Sequence, residues 1–258
     1  MDEGSRLHLA LCIVAERLAG AMESARFERR DGYVLLTFPT FPIPSFNGVW
    51  PDDDSAAGSL REALAEVEAG GVAVGVLTRS GEMPEVTAEA AELGLTVAEP
   101  IPGMVANASD LDTPTQSELE IIRVETAEGF AQALAVAAEG FDLPADFLAP
   151  LYMPEVTGLE GFEVYLGRAE GRDVTTAASY VVDGEVGIFN VATPAEYRGR
   201  GYGAAITDSA VREGLTAGAD LAYLQSSASG ESVYRRLGFR DVVTYVLLTR
   251  PAEVSPTS

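Results

Sequence analysis

The feature that most constrains this chain is a six-residue segment, Arg198-Gly-Arg-Gly-Tyr-Gly203, which places two arginines and three glycines directly before a helix-compatible run. Glycine lets a backbone approach an anion closely and turn its N–H groups toward it. The N-terminus of the following helix adds a partial positive charge, and arginine contributes planar donors to phosphate oxygens. The segment therefore predicts a strand-to-helix turn that binds a pyrophosphate.

The net charge excludes several classes of partner. Among the 258 residues, 40 are Asp or Glu and 17 are Lys or Arg, all of them arginine, so the formal net charge is −23. Such a surface repels nucleic acid and anionic membranes, and neither is an expected partner. The single cysteine, Cys12, can form no internal disulfide, which favours a reducing, cytoplasmic location. Together with the single histidine, His8, it supplies two of the four ligands that a structural zinc site needs, so no metal is expected.

Residues 1–115 show alternating helix and strand patterns, which predict a β/α domain. The predicted elements are helices over about 6–24, 56–69 and 85–93, and extended segments at Tyr33–Phe38, Val72–Leu77 and up to about Val105. The following segment, Asn107–Gln116, is polar and rich in turn-forming residues, so it is the expected linker.

Residues 116–258 predict a second domain with a different order of elements. The expected strands are Glu118–Val124, Phe162–Arg168, Thr175–Val182, Glu185–Val191, Leu221–Gln225 and Val242–Thr249, and the expected helices are Ala127–Ala138, Pro144–Tyr152, 202–217 and 231–237. Asp183-Gly184 is a strong signal for a tight hairpin between two of these strands.

Two nucleotide-binding interpretations of the glycine segment fail on context. Gly199, Gly201 and Ala204 match the spacing of a dinucleotide fingerprint, but that motif requires an acidic residue at the end of the next strand. Here the next strand ends in Gln225-Ser-Ser. A nucleoside-triphosphate P-loop requires a lysine, which the chain lacks.

Two motifs in the expected order resemble those of the GNAT N-acetyltransferase superfamily. Arg198-x-x-Gly201-x-Gly203, after a strand and before a helix, resembles its acyl-CoA-binding motif, and Tyr234-Arg-Arg-Leu-Gly238-Phe239 resembles its Tyr-x-x-x-Gly-Phe segment. The resemblance covers roughly residues 118–250. It implies an α/β layered fold with a mixed, mostly antiparallel sheet flanked by helices. The β/α pattern of residues 1–115 is compatible with a second, degenerate copy of related architecture.

The resemblance implies acetyl-CoA as co-substrate and assigns a set of cofactor-binding residues. The backbone of Val191, Ala192 and Thr193 would pair with the pantetheine arm, and Ser227 stands where many relatives carry an asparagine that touches the cofactor. The pyrophosphate would be held at the helix N-terminus by the segment of Arg198, Gly199, Arg200, Gly201, Tyr202, Gly203 and Ala204.

For catalysis, the resemblance assigns to Tyr234 the protonation of the departing CoA thiolate. An amine must also lose a proton; Glu185 and Glu163 are candidate bases, and Asn190 is a candidate to orient a water instead. The expected activity is acetyl transfer to a primary amine, on a small molecule or a peptide, by direct attack in a ternary complex. A monomer or a homodimer is expected. Two alternatives stay open: a non-catalytic CoA-sensing module, and a protein-interaction module whose N-terminal half does the work.

Overall fold

The computed structural model describes residues 2–111 and 117–250, with Glu99 described by its backbone alone. Within these residues the chain forms two compact units, both discontinuous in sequence. The larger unit is drawn from Met1–Met22 and Pro102–Val242, and the smaller from Glu23–Ile101 and Val243–Ser258.

Helices and strands alternate along most of the described chain. In chain order they are α1 (Glu3–Ala21), β1 (Arg26–Arg30), β2 (Tyr33–Thr37), β3 (Gly48–Pro51), α2 (Leu60–Glu68), β4 (Gly75–Arg79), α3 (Pro84–Glu92), β5 (Thr96–Ala106), β6 (Glu120–Arg123), α4 (Ala127–Phe141), α5 (Ala145–Leu148), α6 (Pro154–Thr157), β7 (Phe162–Ala169), β8 (Arg172–Val182), β9 (Glu185–Ala192), α7 (Tyr202–Thr216), β10 (Leu221–Gln225), α8 (Glu231–Arg236) and β11 (Arg240–Thr249). Of the helices in the described residues, none combines the length and the apolar character that a membrane span needs.

The sheet of the larger unit has the strand order β5-β10-β9-β8-β7-β6. Its β9–β10 pair is parallel and its other pairs are antiparallel. Helix α7 packs on this sheet, with Ile206 and Ala210 in one buried cluster with Val186 and Ile188 of β9. Helix α4 also packs on β7, β8 and β9.

The smaller unit has a sheet of order β1-β2-β3-β4-β11. The β3–β4 pair is parallel, and the others are antiparallel. Leu60 and Leu64 of α2 and Val86 of α3 share a buried cluster with Leu35 and Val76 of the sheet. The predicted mixed, mostly antiparallel sheet flanked by helices is therefore confirmed.

The hairpin between β8 and β9 has the predicted tight turn. Val182 pairs with Glu185, which leaves two residues in the turn. Both lie in the left-handed region, with φ 50° at Asp183 and 83° at Gly184. A two-residue turn of this kind requires positive φ at both positions, and Asp-Gly is among the sequences that supply it.

The two compact units do not divide the chain at the expected boundary between residues 115 and 116. Helix α1 contacts β8 and β9 and so belongs to the larger unit, although it opens the chain. The end of β11 pairs with β4, for example Tyr245 with Arg79, and so belongs to the smaller unit. Residues 112–116 of the expected linker lie outside the described residues. Both departures depend on pairing across long stretches of chain, which local sequence patterns do not record.

Candidate cofactor-binding crevice

The central parallel strand pair of the larger unit separates at one end. Residues Glu185–Ile188 of β9 pair with Leu221–Leu224 of β10, whereas in the described structure no strand pairs with the remainder of β9 on that side. The first four residues of β9 are buried, and the next three are half-buried. Residues Phe189–Val191 therefore border a gap on the β10 side of β9, which is called the crevice below.

A β-bulge lies at the point where β9 leaves β10. Thr176 pairs with Ala192 but Ala178 pairs with Phe189, so two residues of β9 oppose the single Ala177. Asn190, inside the bulge, has φ 50°. A bulge bends a strand and increases its twist, which accounts for the divergence of β9 from its parallel neighbour.

The glycine segment connects this crevice to α7. Gly199 and Gly201 have φ 76° and 81°, a conformation that residues with a side chain rarely adopt. A Cβ added to either glycine would meet no atom within 4 Å, so the loop is open on that side. Gly201 is the N-cap of α7 and provides no side-chain hydrogen bond. The first amides of α7 therefore face the same opening and lack a side-chain cap.

The two arginines of the loop have different roles. Arg198 donates from Nε to the Thr193 carbonyl at 2.9 Å and from a terminal nitrogen to the Gly140 carbonyl at 2.7 Å. Its guanidinium thus joins the end of α4 to the end of β9. Arg200 is exposed, and its guanidinium carbon lies 5.7 Å from the centroid of the Tyr197 ring.

Side chains and a close helix hold the end of β9 in place. The Thr175 hydroxyl donates to the Ala192 carbonyl at 2.9 Å. A Cβ on Gly140 of α4 would lie 2.9 Å from the Ala192 Cβ and 3.0 Å from the Thr193 nitrogen. Two of the carbonyls expected to face the pantetheine arm, those of Ala192 and Thr193, therefore already accept a protein hydrogen bond.

Strand β10 forms the other wall of the crevice. Ser227 and Tyr234 lie on the segment that follows β10. The Tyr234 ring packs edge-on against Phe239 with centroids 6.1 Å apart, and burial alone raises the pKa of Tyr234 to about 12. Its phenol is therefore protonated at neutral pH and suited to donate a proton. The Ser227 hydroxyl accepts from the Gly230 amide at 3.2 Å, which closes the turn before α8.

The Gly-Phe pair that ends α8 has the expected conformation. Gly238 has φ 100°, and the Phe239 amide donates to the Tyr234 carbonyl at 3.0 Å. A Cβ on Gly238 would lie 2.0 Å from the Asp110 carbonyl oxygen. Glycine is therefore required both by the backbone angle and by the neighbouring chain.

Comparison with known proteins gives a clear result for the fold. No protein-family model matches the sequence, and a search of curated proteins finds no significant match. Among solved structures, a GCN5-related N-acetyltransferase from Kribbella flavida is similar with a TM-score of 0.72 and 23% identity, over 93% of this chain and 95% of that one. The chain has the GNAT acetyltransferase fold.

Two further GNAT structures extend the similarity along the chain. A GCN5-related N-acetyltransferase from Sphaerobacter thermophilus matches with a TM-score of 0.64 and 16% identity, over 97% of this chain and 94% of that one. A tandem GNAT protein from the clavulanic acid biosynthesis pathway matches with a TM-score of 0.58 and 15% identity, over 96% of this chain and 89% of that one. The GNAT likeness thus reaches residues of both compact units.

Glu185, a candidate base, does not lie at the open end of the crevice. It is the first residue of β9 and pairs with Leu221, five positions before Asn190. At about 3.3 Å per residue, this separation is roughly 16 Å. Its carboxylate is buried and forms an ion pair with Arg6 of α1. The sequence placed Glu185 on the correct strand but did not show that α1 covers that end of it.

Glu163, the other carboxylate considered as a base, lines a groove of about 1150 Å³. Residues of α7 from Ala205 to Thr216, among them Glu213, border this groove. The Arg123 Nε lies 3.2 Å from the Glu163 carboxylate, and burial raises the pKa of Glu163.

Two residues beside the glycine loop were not predicted as site residues from the sequence. Tyr197 lies in the turn before the loop, and Arg172 begins β8 on the neighbouring hairpin. Both line a small groove together with Arg200. Their proximity depends on the pairing of β8 with β9, and no short motif marks it.

We expect Arg6→Ala to destabilise the larger unit at neutral pH. Burial raises the pKa of Glu185 despite its ion pair with Arg6, so the carboxylate form is already costly in the folded state. Without Arg6, a buried charge would remain unpaired, and the free energy of unfolding should fall by about 1–3 kcal/mol at pH 7. Because the folded-state pKa is raised, this cost grows as the pH rises from the ordinary value of 4.5 to the folded-state pKa, is complete above that pKa and disappears below 4.5.

Urea unfolding of the wild type and the variant at pH 7 and pH 4.5 measures this difference. The double variant Arg6→Ala with Glu185→Gln removes the charge as well and should recover most of the loss at pH 7. A destabilisation that is equal at both pH values would contradict the assignment of the effect to the Glu185 carboxylate.

Proposed function

We propose that this chain is an N-acetyltransferase that transfers an acetyl group from acetyl-CoA to a primary amine by direct attack in a ternary complex. One observation carries the proposal: β9 separates from β10 at the bulge, and the open end leads through the glycine loop to the N-terminus of α7. The GNAT fold supports the proposal. Tyr234 lies on α8, which follows β10, the opposite wall of the crevice.

The described residues fit acetyl-CoA. Backbone along Phe189–Val191 that has no strand partner on the β10 side offers an edge to the amides of a pantetheine arm, as an exposed strand edge does to a peptide. The uncapped amides of Tyr202, Gly203 and Ala204 at the start of α7 offer donors to a pyrophosphate. When bound, acetyl-CoA supplies an activated thioester carbonyl.

Tyr234 would act as the acid that protonates the leaving thiolate. Its raised pKa keeps the phenolic proton in place over the physiological range. Neither Glu185 nor Glu163 is assigned as the base, since each is ion-paired: Glu185 with Arg6 at the far end of β9, and Glu163 with Arg123. We propose that the amine proton leaves through water, with Asn190 at the bulge as the residue that orients it.

The acceptor is proposed to be a cationic small-molecule amine or a basic peptide. The net charge of −23 attracts such acceptors over long distances and repels anionic ones. A monomer or a homodimer in the cytoplasm is the proposed state, in keeping with a single cysteine, Cys12, that is buried.

Thermal unfolding with acetyl-CoA, followed by an amine screen, tests the proposal. Binding at 100 times Kd stabilises a protein by about 2.7 kcal/mol, which corresponds to a rise in Tm of roughly 5 °C or more. Release of free thiol from acetyl-CoA should then depend on an amine, tested with a polyamine, an aminoglycoside and a lysine-containing peptide.

The outcomes separate the proposal from its main alternative. The ion pair of Glu185 with Arg6 favours, as the second candidate, a non-catalytic CoA-sensing module. That function predicts a rise in Tm without thiol release for any amine. No change in Tm with acetyl-CoA would contradict both and would favour a protein-interaction module.

A further inference from the structure

A small polar groove lies beside the glycine loop in the larger unit. It has a cavity volume of about 380 Å³ and is lined by two arginines, two tyrosines and two glutamates, among other residues: Arg172, Arg200, Tyr197, Tyr202, Glu170 and Glu196. This volume falls within the range of small-molecule sites, which is about 300–1,000 Å³. The groove is continuous with the loop, because Arg200 and Tyr202 belong to both.

The two arginines line the groove together with one aromatic ring, that of Tyr197. The Arg200 guanidinium carbon lies 5.7 Å from the centroid of this ring. Both arginines follow a glycine in the left-handed conformation, Gly199 and Gly171, with φ 76° and 74°. Two turns of the backbone thus each place an arginine at the same groove.

These guanidiniums are not neutralised by ion pairs. Among the described residues, no carboxylate lies within 4.0 Å of Arg172 or Arg200, whereas Arg26 and Arg30 both pair with Glu66. Glu170 and Glu196 line the groove but form no such pair with either arginine. In a chain of net charge −23, two unpaired guanidiniums together mark a place where an anion is tolerated.

The Arg198 side chain is already hydrogen-bonded within the protein, so a phosphate of CoA needs another arginine as its partner. The Arg198 donors bind the carbonyls of Thr193 and Gly140. The helix amides suit the pyrophosphate, but CoA also carries a phosphate monoester on the ribose 3′ oxygen. A phosphate monoester has a charge of about −1.5 to −2 at pH 7, and its oxygens form strong, charge-assisted hydrogen bonds with arginine.

We propose that Arg172 and Arg200, which line one groove with Tyr197, bind the 3′-phosphate of CoA and select CoA over its 3′-dephospho form. This inference rests on the proposed function, since it requires that CoA bind the glycine loop. Arg172 is the new residue in the site, and it comes from the β7–β8 hairpin, outside both GNAT motifs of the sequence.

Isothermal titration with CoA and with 3′-dephospho-CoA tests the proposal without any turnover. The wild type should bind CoA about ten- to a hundredfold more tightly, as expected for charged hydrogen bonds. Arg172→Gln and Arg200→Gln should each reduce this ratio at least severalfold while leaving the Kd for 3′-dephospho-CoA nearly unchanged. Arg172→Lys keeps the charge and should retain part of the ratio.

Arg29→Gln is the matched control. Arg29 is also an exposed arginine over an aromatic ring, 5.4 Å from the centroid of Phe27, but it lies on β1 in the smaller unit. This variant should keep the wild-type ratio. A wild type that binds both ligands equally, or an Arg172→Gln variant that weakens both equally, would overturn the inference and leave the proposed function standing. Failure of the wild type to bind either ligand would contradict both.

Discussion

Replacing Tyr234 by phenylalanine is expected to lower kcat for acetyl transfer by about 100-fold or more, with little change in the affinity for acetyl-CoA. The variant removes the hydroxyl and keeps the ring, which packs edge-on against Phe239 at 6.1 Å. Packing, and with it the position of α8, should therefore survive. The loss should come from the missing proton donor, because the phenol of Tyr234 is protonated at neutral pH and phenylalanine has no hydroxyl.

Tyr180→Phe is the matched control for this prediction. Tyr180 lies on β8 in the same unit and also packs edge-on against a phenylalanine, Phe162, at 5.6 Å. The Tyr180→Phe variant should retain wild-type turnover. Steady-state kinetics and a binding titration for each variant separate kcat from affinity. Full activity in Tyr234→Phe would remove Tyr234 from the mechanism, and an equal loss in Tyr180→Phe would indicate a general structural effect.

The second large effect is expected for Gly201→Val, which should weaken the binding of acetyl-CoA by about 100-fold or more. Gly201 has φ 81°, and a side chain in this conformation costs about 1–2 kcal/mol, with a β-branched one at the upper end. No protein atom lies within 4 Å of the added Cβ, so a clash inside the free protein is not the cause. The loop should instead leave its conformation, and the amides of α7 would no longer converge on one anion.

Two other glycines of the same helix region provide controls. Gly218, just after α7, has φ 107° and equally open surroundings, so Gly218→Val should impose similar strain while leaving CoA affinity intact. Gly203→Ala should bind acetyl-CoA nearly as well as the wild type, because its Cβ would meet only the Thr193 hydroxyl at 3.5 Å. Binding by Gly201→Val at wild-type affinity would contradict the assignment of the pyrophosphate to this loop.

Local sequence signals predicted much of the fold. The observed strand Leu221–Gln225 has the predicted bounds, and α7 and α8 each end one residue before the predicted limit. Glycine, proline and apolar periodicity act within a few residues, so their effects can be read locally. Strand β1, by contrast, is largely charged and was not predicted, because it becomes a strand through its pairing with β2.

The candidate site likewise has parts that the sequence predicted and parts that it did not. The order of strand, glycine loop and helix was predicted because each part is a local property of Val191–Gly203. The sequence did not predict three other features: the bulge at Asn190, the hydrogen bond from Arg198 to the Gly140 carbonyl, and the burial of Glu185 against Arg6. Each of these depends on a contact with an element distant in sequence, namely β8, α4 or α1.

The sequence by itself determined that the chain has a glycine loop with the backbone freedom and positive charge to hold a pyrophosphate, and a tyrosine followed by Gly-Phe four residues later. The tertiary structure decided which arginines face that loop. Arg198 lies within the motif yet binds two carbonyls, while Arg172 lies outside it yet reaches the groove beside Arg200. The physical reason is that backbone conformation is set by neighbours along the chain, whereas the direction and partners of a long side chain are set by the strands and helices that pack around it.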